Sequence, residues 1–202
     1  MKRLLLVLAC ASVAMGTTVT LTMDEVPTQA LNGLAVTKGG ITFTFSDAGG
    51  NLTYDWPSGG QLTYVQDPSI SGAPDVFGVA FSVPISTIQF GMTGGYIPLG
   101  QMATVSFYNG TTLIATVMLN ASLTDPFPEG QLNYTSATPV TSMTVTPNAT
   151  FRGVGFDNLT VTTAPPPAVP ASSPLTLALM TLGIVGLGGY ALRRRFGPST
   201  SH

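Results

Sequence analysis

The sequence is poor in the residues that many enzymes use at their active sites. It contains one cysteine, Cys10, and one histidine, His202, and both lie near the ends of the 202-residue chain. A histidine-based triad or a zinc site needs such side chains together within one domain. If Cys10 is removed with a leader, the mature chain also has no disulfide and no thiol nucleophile. These absences argue against enzymes of those classes.

Basic residues are nearly absent from the middle of the chain. Between the two apolar termini, Lys38 and Arg152 stand against nine acidic residues, which gives this region a formal charge of minus seven. Binding of nucleic acid depends on Lys and Arg side chains that neutralise phosphates. We therefore expect no nucleic-acid partner.

Residues 17–163 also lack any long stretch with the apolar period of an amphipathic helix. Short runs rich in Val, Thr, Ile, Phe and Tyr are separated by Gly, Pro, Asn and Asp, as is typical of strands and turns. Residues 41–45 alternate apolar and polar side chains like a half-buried strand, and residues 85–90 and 140–145 behave similarly. About ten such runs predict an all-β fold, an antiparallel β-sandwich of jelly-roll type.

One hairpin is predicted with particular clarity. Two strand-like runs, residues 104–108 and 113–117, flank Asn109 and Gly110. Asn-Gly tolerates the positive φ angles of a tight hairpin turn, so these runs are expected to pair with each other.

The N-terminus has the features of a secretory signal peptide. Lys2 and Arg3 precede the apolar residues 4–14, and small residues follow, which predicts a signal peptide over residues 1–16 with cleavage after Gly16. Residues 7–10 also resemble a lipoprotein box, and this alternative would leave Cys10 lipidated.

The C-terminus predicts a membrane anchor. Residues 175–192 are eighteen residues without a charge, and Arg193, Arg194 and Arg195 follow directly. As a helix they would span roughly 27 Å, close to the ~30 Å hydrocarbon core of a bilayer. Because arginines are retained on the cytoplasmic side, residues 193–202 form a cytoplasmic tail and the preceding chain lies outside. The alternative is a buried helix of a soluble core.

A proline-rich segment, residues 164–174, joins the predicted exported domain to this span. Its residues Val169, Pro170 and Pro174, the glycine-containing apolar run and the arginine cluster together resemble the sorting signal of the PEP-CTERM and IPTL-CTERM type, with Ala171 in place of the PEP glutamate. The resemblance implies recognition by a membrane-embedded, exosortase-like processing protease. It also implies delivery of the domain to the bacterial surface or extracellular matrix.

The final strand-like run carries a second resemblance. Residues 151–161, which include Gly155-Phe156-Asp157-Asn158-Leu159, look like the closing strand of jelly-roll domains, which returns beside the first strand. In carbohydrate-binding relatives of that architecture an acidic residue here often helps to hold calcium, and the resemblance then implies a structural calcium at Asp157, Asp24 and Glu25. Calcium takes six to eight oxygen ligands. The alternative is that Asp157 and Asn158 hydrogen-bond nearby backbone amides.

Aromatic residues suggest a ligand-binding loop. Tyr54 and Trp56 lie beside a Gly- and Pro-rich stretch, and their rings could stack on a sugar face. Alternatively, Trp56 fills the core.

Asn-x-Ser/Thr triplets are in excess. Six of the seven asparagines occupy such triplets, which makes them candidate glycosylation sites in an exported protein. The alternative is a Thr-rich β protein with asparagine in its turns. The six are Asn51, Asn109, Asn120, Asn133, Asn148 and Asn158.

Two functions follow from these patterns. The first is a non-enzymatic surface or matrix component, delivered by a processed C-terminal signal and binding extracellular polysaccharide. The second is a permanently anchored, single-pass adhesin or receptor-like glycoprotein. A calcium-dependent glycosidase is a third reading, which requires two carboxylates ~5 to 9.5 Å apart in a cleft.

Overall fold

The computed structural model describes residues 16–56, 62–95, 100–123 and 127–166. These residues form strands, turns and bends, and those up to Pro165 belong to one compact unit. Their eleven strands are β1 (Thr18–Leu21), β2 (Gln29–Ala30), β3 (Ala35–Lys38), β4 (Ile41–Asp47), β5 (Leu52–Trp56), β6 (Ser69–Gly72), β7 (Phe77–Gly94), β8 (Gln101–Asn109), β9 (Thr112–Asn120), β10 (Glu129–Pro147) and β11 (Val154–Thr163).

All strand pairs are antiparallel, and two long strands run through both layers of the fold. In layer one, the second half of β7 lies between β11 and the first half of β10, and β1, β6, β5 and β2 extend the sheet beyond β11. In layer two, the first half of β7 pairs with β4 and with the second half of β10, which in turn pairs with β8. Strands β3 and β9 form the two edges of layer two. The predicted antiparallel β-sandwich is therefore confirmed in its all-β, antiparallel character.

A proline stands where each long strand passes from one layer to the other. Pro84 follows the last residue of β7 that pairs with β4, and Pro139 lies within the irregular stretch of β10 between Thr135 and Val140. Proline has no N–H for a sheet ladder and occurs in strands mainly at edges and bulges. The two prolines therefore allow the strands to bend without losing a ladder hydrogen bond. The runs predicted at 85–90 and 140–145 are each half of such a bent strand.

The core lies between the two layers and is rich in aromatic rings. Phe77 of layer two contacts Phe156 of layer one with ring centroids 5.2 Å apart, and Phe45 contacts Tyr54 across the layers at 5.8 Å. All four rings are at most 1% exposed. Burying an aromatic side chain of this kind contributes roughly 1.5 to 3 kcal/mol, so these contacts hold the layers together.

The predicted hairpin is confirmed, with a small shift in its turn. Strands β8 and β9 pair from Gln101 with Asn120 to Asn109 with Thr112. Asn109 is the last residue of β8, and Gly110 takes the positive φ of 58°. The turn thus begins at glycine, which adopts this conformation at the lowest steric cost.

The first strand, β1, pairs along its whole length with the last strand, β11, from Thr18 with Thr162 to Leu21 with Leu159. This arrangement was implied by the resemblance of residues 151–161 to a closing jelly-roll strand.

In the described ranges, no helix is long and apolar enough to cross a membrane. The signal peptide and Cys10, most of the segment 164–174, the span 175–192 and the tail 193–202 lie outside those ranges.

Candidate binding face

The outer face of layer two carries two cross-strand rows of small, uncharged side chains. Strand pairing fixes these rows because residues directly opposite each other point to the same face of a sheet. The first row runs Thr44, Ala80, Ser142, Tyr108, Leu113, and the second runs Ser46, Gly78, Thr144, Ser106, Thr116.

A trough crosses this face above the central strand β7. Gly78 and Ala80 form its floor, and hydroxyl residues of β4 and β10 form its sides, so the missing side-chain bulk of the floor creates the depression. The space is about 260 Å³. We define the trough by its six residues: Thr44, Ser46, Gly78, Ala80, Ser142 and Thr144.

The hydroxyl groups in the trough are available to a ligand. Within the described residues, none of the four hydroxyl side chains in the trough makes a side-chain hydrogen bond. Outside the trough, hydroxyls bond each other on both layers: Thr18 bonds Thr162 at 2.9 Å and Thr20 bonds Thr160 at 2.7 Å on layer one, and Ser106 bonds Thr116 at 3.3 Å on layer two. Hydroxyls that already bond each other have less to offer a ligand, which favours the trough as a binding site.

Asp47 follows Ser46 at the end of β4, and its side chain points inward, as does that of its pairing partner Phe77. Asp47 lines an adjoining hollow of about 230 Å³ that shares Ser46, Gly78 and Thr144 with the trough. Asp47 is 3% exposed, and its Oδ2 accepts a hydrogen bond from the backbone N–H of Leu52 at 2.8 Å. Its Oδ1 is buried without a hydrogen-bond partner among the described residues. A buried acceptor without a partner is costly, but this oxygen lies on the inner side of the sheet and does not face the trough.

Tyr108 supplies an aromatic ring beside the trough. It lies opposite Ser142 on the same face and is half-buried. Its neighbour Phe107 points inward and stacks on Tyr134 with ring centroids 3.9 Å apart, which anchors this part of β8 in the core. An amphipathic ring on a fixed strand can pack against a ligand at low entropic cost.

The two aromatic residues predicted to bind a ligand have different environments. Trp56 is 49% exposed at the end of β5, so the alternative that it fills the core is wrong. Tyr54 is fully buried, and its hydroxyl donates a hydrogen bond to Glu25 Oε2. Its ring therefore cannot stack on a sugar in this fold, which corrects the expectation for Tyr54. The reason is the alternation of β5, which turns Tyr54 inward.

Glu25, one of the three predicted calcium ligands, is used in an ion pair. Its Oε1 lies 2.7 Å from Lys38 Nζ and also accepts the backbone N–H of Thr22 at 2.9 Å. Burial alone would raise the pKa of Glu25, but the hydrogen bonds from Lys38, Tyr54 and Thr22 outweigh it and lower the pKa to about 2. Burial and the Glu25 charge raise the pKa of Tyr54.

Asp157, the second predicted calcium ligand, accepts hydrogen bonds from backbone amides. Its oxygens accept the N–H groups of Asn158 at 2.6 Å and of Gln66 at 2.9 Å. Burial raises the pKa of Asp157 to about 6 against the effect of these bonds, with smaller contributions from the charges of Glu25 and Asp24. This is the local hydrogen-bonding role that was the alternative to calcium. Within the described residues, no group of three His, Cys, Asp or Glu side chains is arranged to hold a metal ion.

Sequence analysis missed a second buried carboxylate of the same kind. Glu129 is 1% exposed, and its two oxygens accept the N–H groups of Thr63 at 3.2 Å and Tyr64 at 2.6 Å. Together with Asp157 it fixes the segment 62–66 on layer one. Glu129 follows Pro128 in a sequence without a distinctive motif, so no local signal identifies it.

The candidate glycosylation sites fall into two groups. Asn51, Asn109, Asn120 and Asn133 are exposed. Asn148 and Asn158 are half-buried, and their amide groups donate hydrogen bonds to Gln101 O at 3.0 Å and to Tyr64 O at 3.3 Å. An amide held in this way is a poor acceptor for a glycan.

No family model matches the sequence, and no curated protein matches it significantly. Comparison with solved structures finds the K2 cleaved adhesin domain of Lys-gingipain, with a TM-score of 0.40, 9% identity and coverage of 72% of this chain and 99% of that one. The K3 adhesin domain of Lys-gingipain from Porphyromonas gingivalis W83 matches with a TM-score of 0.38 and 12% identity, over 73% of this chain and 100% of that one. A carbohydrate-binding module of family 29 matches with a TM-score of 0.33 and 9% identity, over 74% of this chain and 90% of that one. Similarities this low assign the chain to none of these families.

Proposed function

We propose that this chain is a non-enzymatic, exported surface or extracellular-matrix protein whose β-sandwich binds an uncharged polysaccharide in the trough of layer two. The trough is the observation that carries the proposal. Among the described residues, it combines the ring of Tyr108 at its side with four hydroxyl side chains that make no side-chain hydrogen bond.

The chemistry of the trough suits a sugar chain. Sugar hydroxyls both donate and accept hydrogen bonds, as the Ser and Thr hydroxyls of the trough do. The ring of Tyr108 offers an apolar surface for the C–H face of a sugar ring. The formal charge of minus seven between the apolar termini favours neutral over acidic polysaccharides, because like charges repel.

Delivery to the surface is part of the same proposal. The sequence pattern of signal peptide, proline-containing motif, apolar span and arginine cluster supports export followed by processing by an exosortase-like protease. Loss of the C-terminal span would release the domain to the surface or matrix, whereas its retention would leave a single-pass anchored adhesin.

Binding is tested by affinity electrophoresis of the full chain, recovered from an exporting host, in gels that contain a mannan, a β-glucan, a xylan or alginate. We expect at least one neutral polysaccharide to retard the protein and alginate to leave its mobility unchanged. Tyr108→Ala should weaken binding about tenfold or more, equivalent to ~1.4 kcal/mol.

A matched pair of variants identifies the face. Ala80→Met fills the trough from an exposed position and should abolish retardation, whereas Thr87→Met on the outer face of layer one should bind like the wild type. Binding that survives Ala80→Met, or that is lost in Thr87→Met alone, would overturn the trough as the site. Absence of retardation by every neutral polysaccharide would overturn the function.

A further inference from the structure

Strand β9 forms an edge of layer two that lacks the usual protection against pairing. It is nine residues long, pairs with β8 on one side, and ends the strand order of the sheet on the other. An edge strand leaves a row of backbone N–H and C=O groups able to pair with another strand. The opposite edge of layer two, β3, has four residues and includes Lys38.

The composition of β9 is apolar and uncharged. Its sequence, TLIATVMLN, contains no Lys, Asp, Glu, Arg or Pro. Proteins ordinarily protect long edges with charges, prolines or bulges that prevent association. The pairing with β8 has two irregularities, one near the hairpin turn between the pairs Phe107 with Ala115 and Tyr108 with Leu113, and one at the far end between Gln101 and Ala103. Residues 115–119 pair regularly between them.

Apolar side chains remain exposed on both faces of β9. Leu113 and Met118 are 54% and 64% exposed, and Ile114, Ala115 and Val117 pack on the core but remain half-buried. A further strand beside β9 would satisfy the edge hydrogen bonds and cover these apolar side chains in one step.

We infer that β9 is a homotypic interface, where a second copy of this chain adds its own β9 in antiparallel orientation. Self-pairing about a two-fold axis at Thr116 places Ala115 opposite Val117 of the second copy, both on the inner side. The pairing brings no like charges together, although the exported region as a whole is strongly acidic. Because a two-fold contact uses the same patch on both copies, the assembly closes as a dimer.

Cysteine cross-linking in intact exporting cells tests this interface on the full chain. A residue at a two-fold axis faces its own copy, and a disulfide forms where two Cβ atoms lie within about 3.5 to 4.5 Å. Single cysteines are introduced by the substitutions Leu113→Cys, Thr116→Cys and Met118→Cys. All three side chains are exposed, so these substitutions should leave the core intact. The matched controls are the wild-type chain and Thr146→Cys, an exposed threonine on the interior strand β10.

We expect a disulfide-linked dimer on a non-reducing gel at Thr116→Cys, in at least tenfold excess over Thr146→Cys and the wild type. A dimer band of equal strength at Thr146→Cys would overturn the interface. Absence of a dimer at Thr116→Cys, or a dimer confined to Leu113→Cys or Met118→Cys, would also overturn the proposed pairing.

Discussion

The hydroxyl of Tyr54 and the ammonium of Lys38 both donate hydrogen bonds to the carboxylate of Glu25. This ties β5 of layer one to β3 of layer two through an acidic residue from the segment between β1 and β2. Glu25 therefore links the two layers through hydrogen bonds. Its protonation should lower the free energy of unfolding.

We expect Glu25 to stabilise the fold at neutral pH. The pKa of Glu25 is lowered from 4.5 to about 2, so its contribution is complete above pH 4.5 and is lost as the pH falls through about 2. Glu25→Gln should lower the free energy of unfolding by about 1 to 3 kcal/mol at pH 7. Urea unfolding at pH 7 and pH 2 measures this, and the two proteins should converge at pH 2. Asp24→Asn, an exposed neighbour, is the control, and a similar loss there would contradict the role of Glu25.

Asp157 should have the opposite pH dependence. The pKa of Asp157 is raised from 3.8 to about 6, so the folded state binds this proton more tightly than the unfolded state does. The stabilisation that protonated Asp157 provides is therefore lost as the pH rises through about 6. Between pH 5 and pH 8 the wild-type free energy of unfolding should fall by about 1 kcal/mol from this group. Asp157→Asn should remove that part of the slope in urea titrations. An unchanged slope in the variant would show that another group is responsible.

The close approach of segment 62–66 to layer one requires glycine at position 91. A Cβ atom there would lie 2.0 Å from the carbonyl oxygen of Tyr64, and backbone cannot move aside cheaply. Gly91→Ala should cost about 1 to 3 kcal/mol as overpacking, seen as a lower melting temperature. Gly95→Ala is a matched control, because its Cβ would approach no atom closer than 4.0 Å. Equal melting temperatures for the two variants would contradict the contact.

The topology predicted from the two termini is tested by the mass of the mature protein. Intact-mass measurement on material from the native host should show loss of residues 1–16 and of everything beyond about Pro174. An intact tail that includes Arg193 to Arg195 would instead support the permanently anchored adhesin. Recovery of the full-length, untrimmed chain in the cytosol would contradict export.

Local sequence patterns predicted the strands better than the site. The alternation in residues 41–45 and the Asn109-Gly110 turn each depend on neighbours in the chain, and both appear in the structure. The trough could not be predicted, because Gly78, Thr44 and Thr144 come from three strands that meet only through pairing. Tyr54 was misassigned because its burial depends on the opposing layer, where Phe45 lies against it.

The sequence by itself determined the all-β class, the acidic charge and the residues available for chemistry, because composition, alternation and turn residues act over a few positions. Only the tertiary structure decided which side chains share a face. It turned Tyr54 inward, bent β7 and β10 through both layers, and committed Asp157 and Glu129 to backbone amides. Among the described residues, it also left Asp47 Oδ1 without a donor. Those outcomes depend on contacts between residues far apart in the chain, and pairing register and layer packing set them.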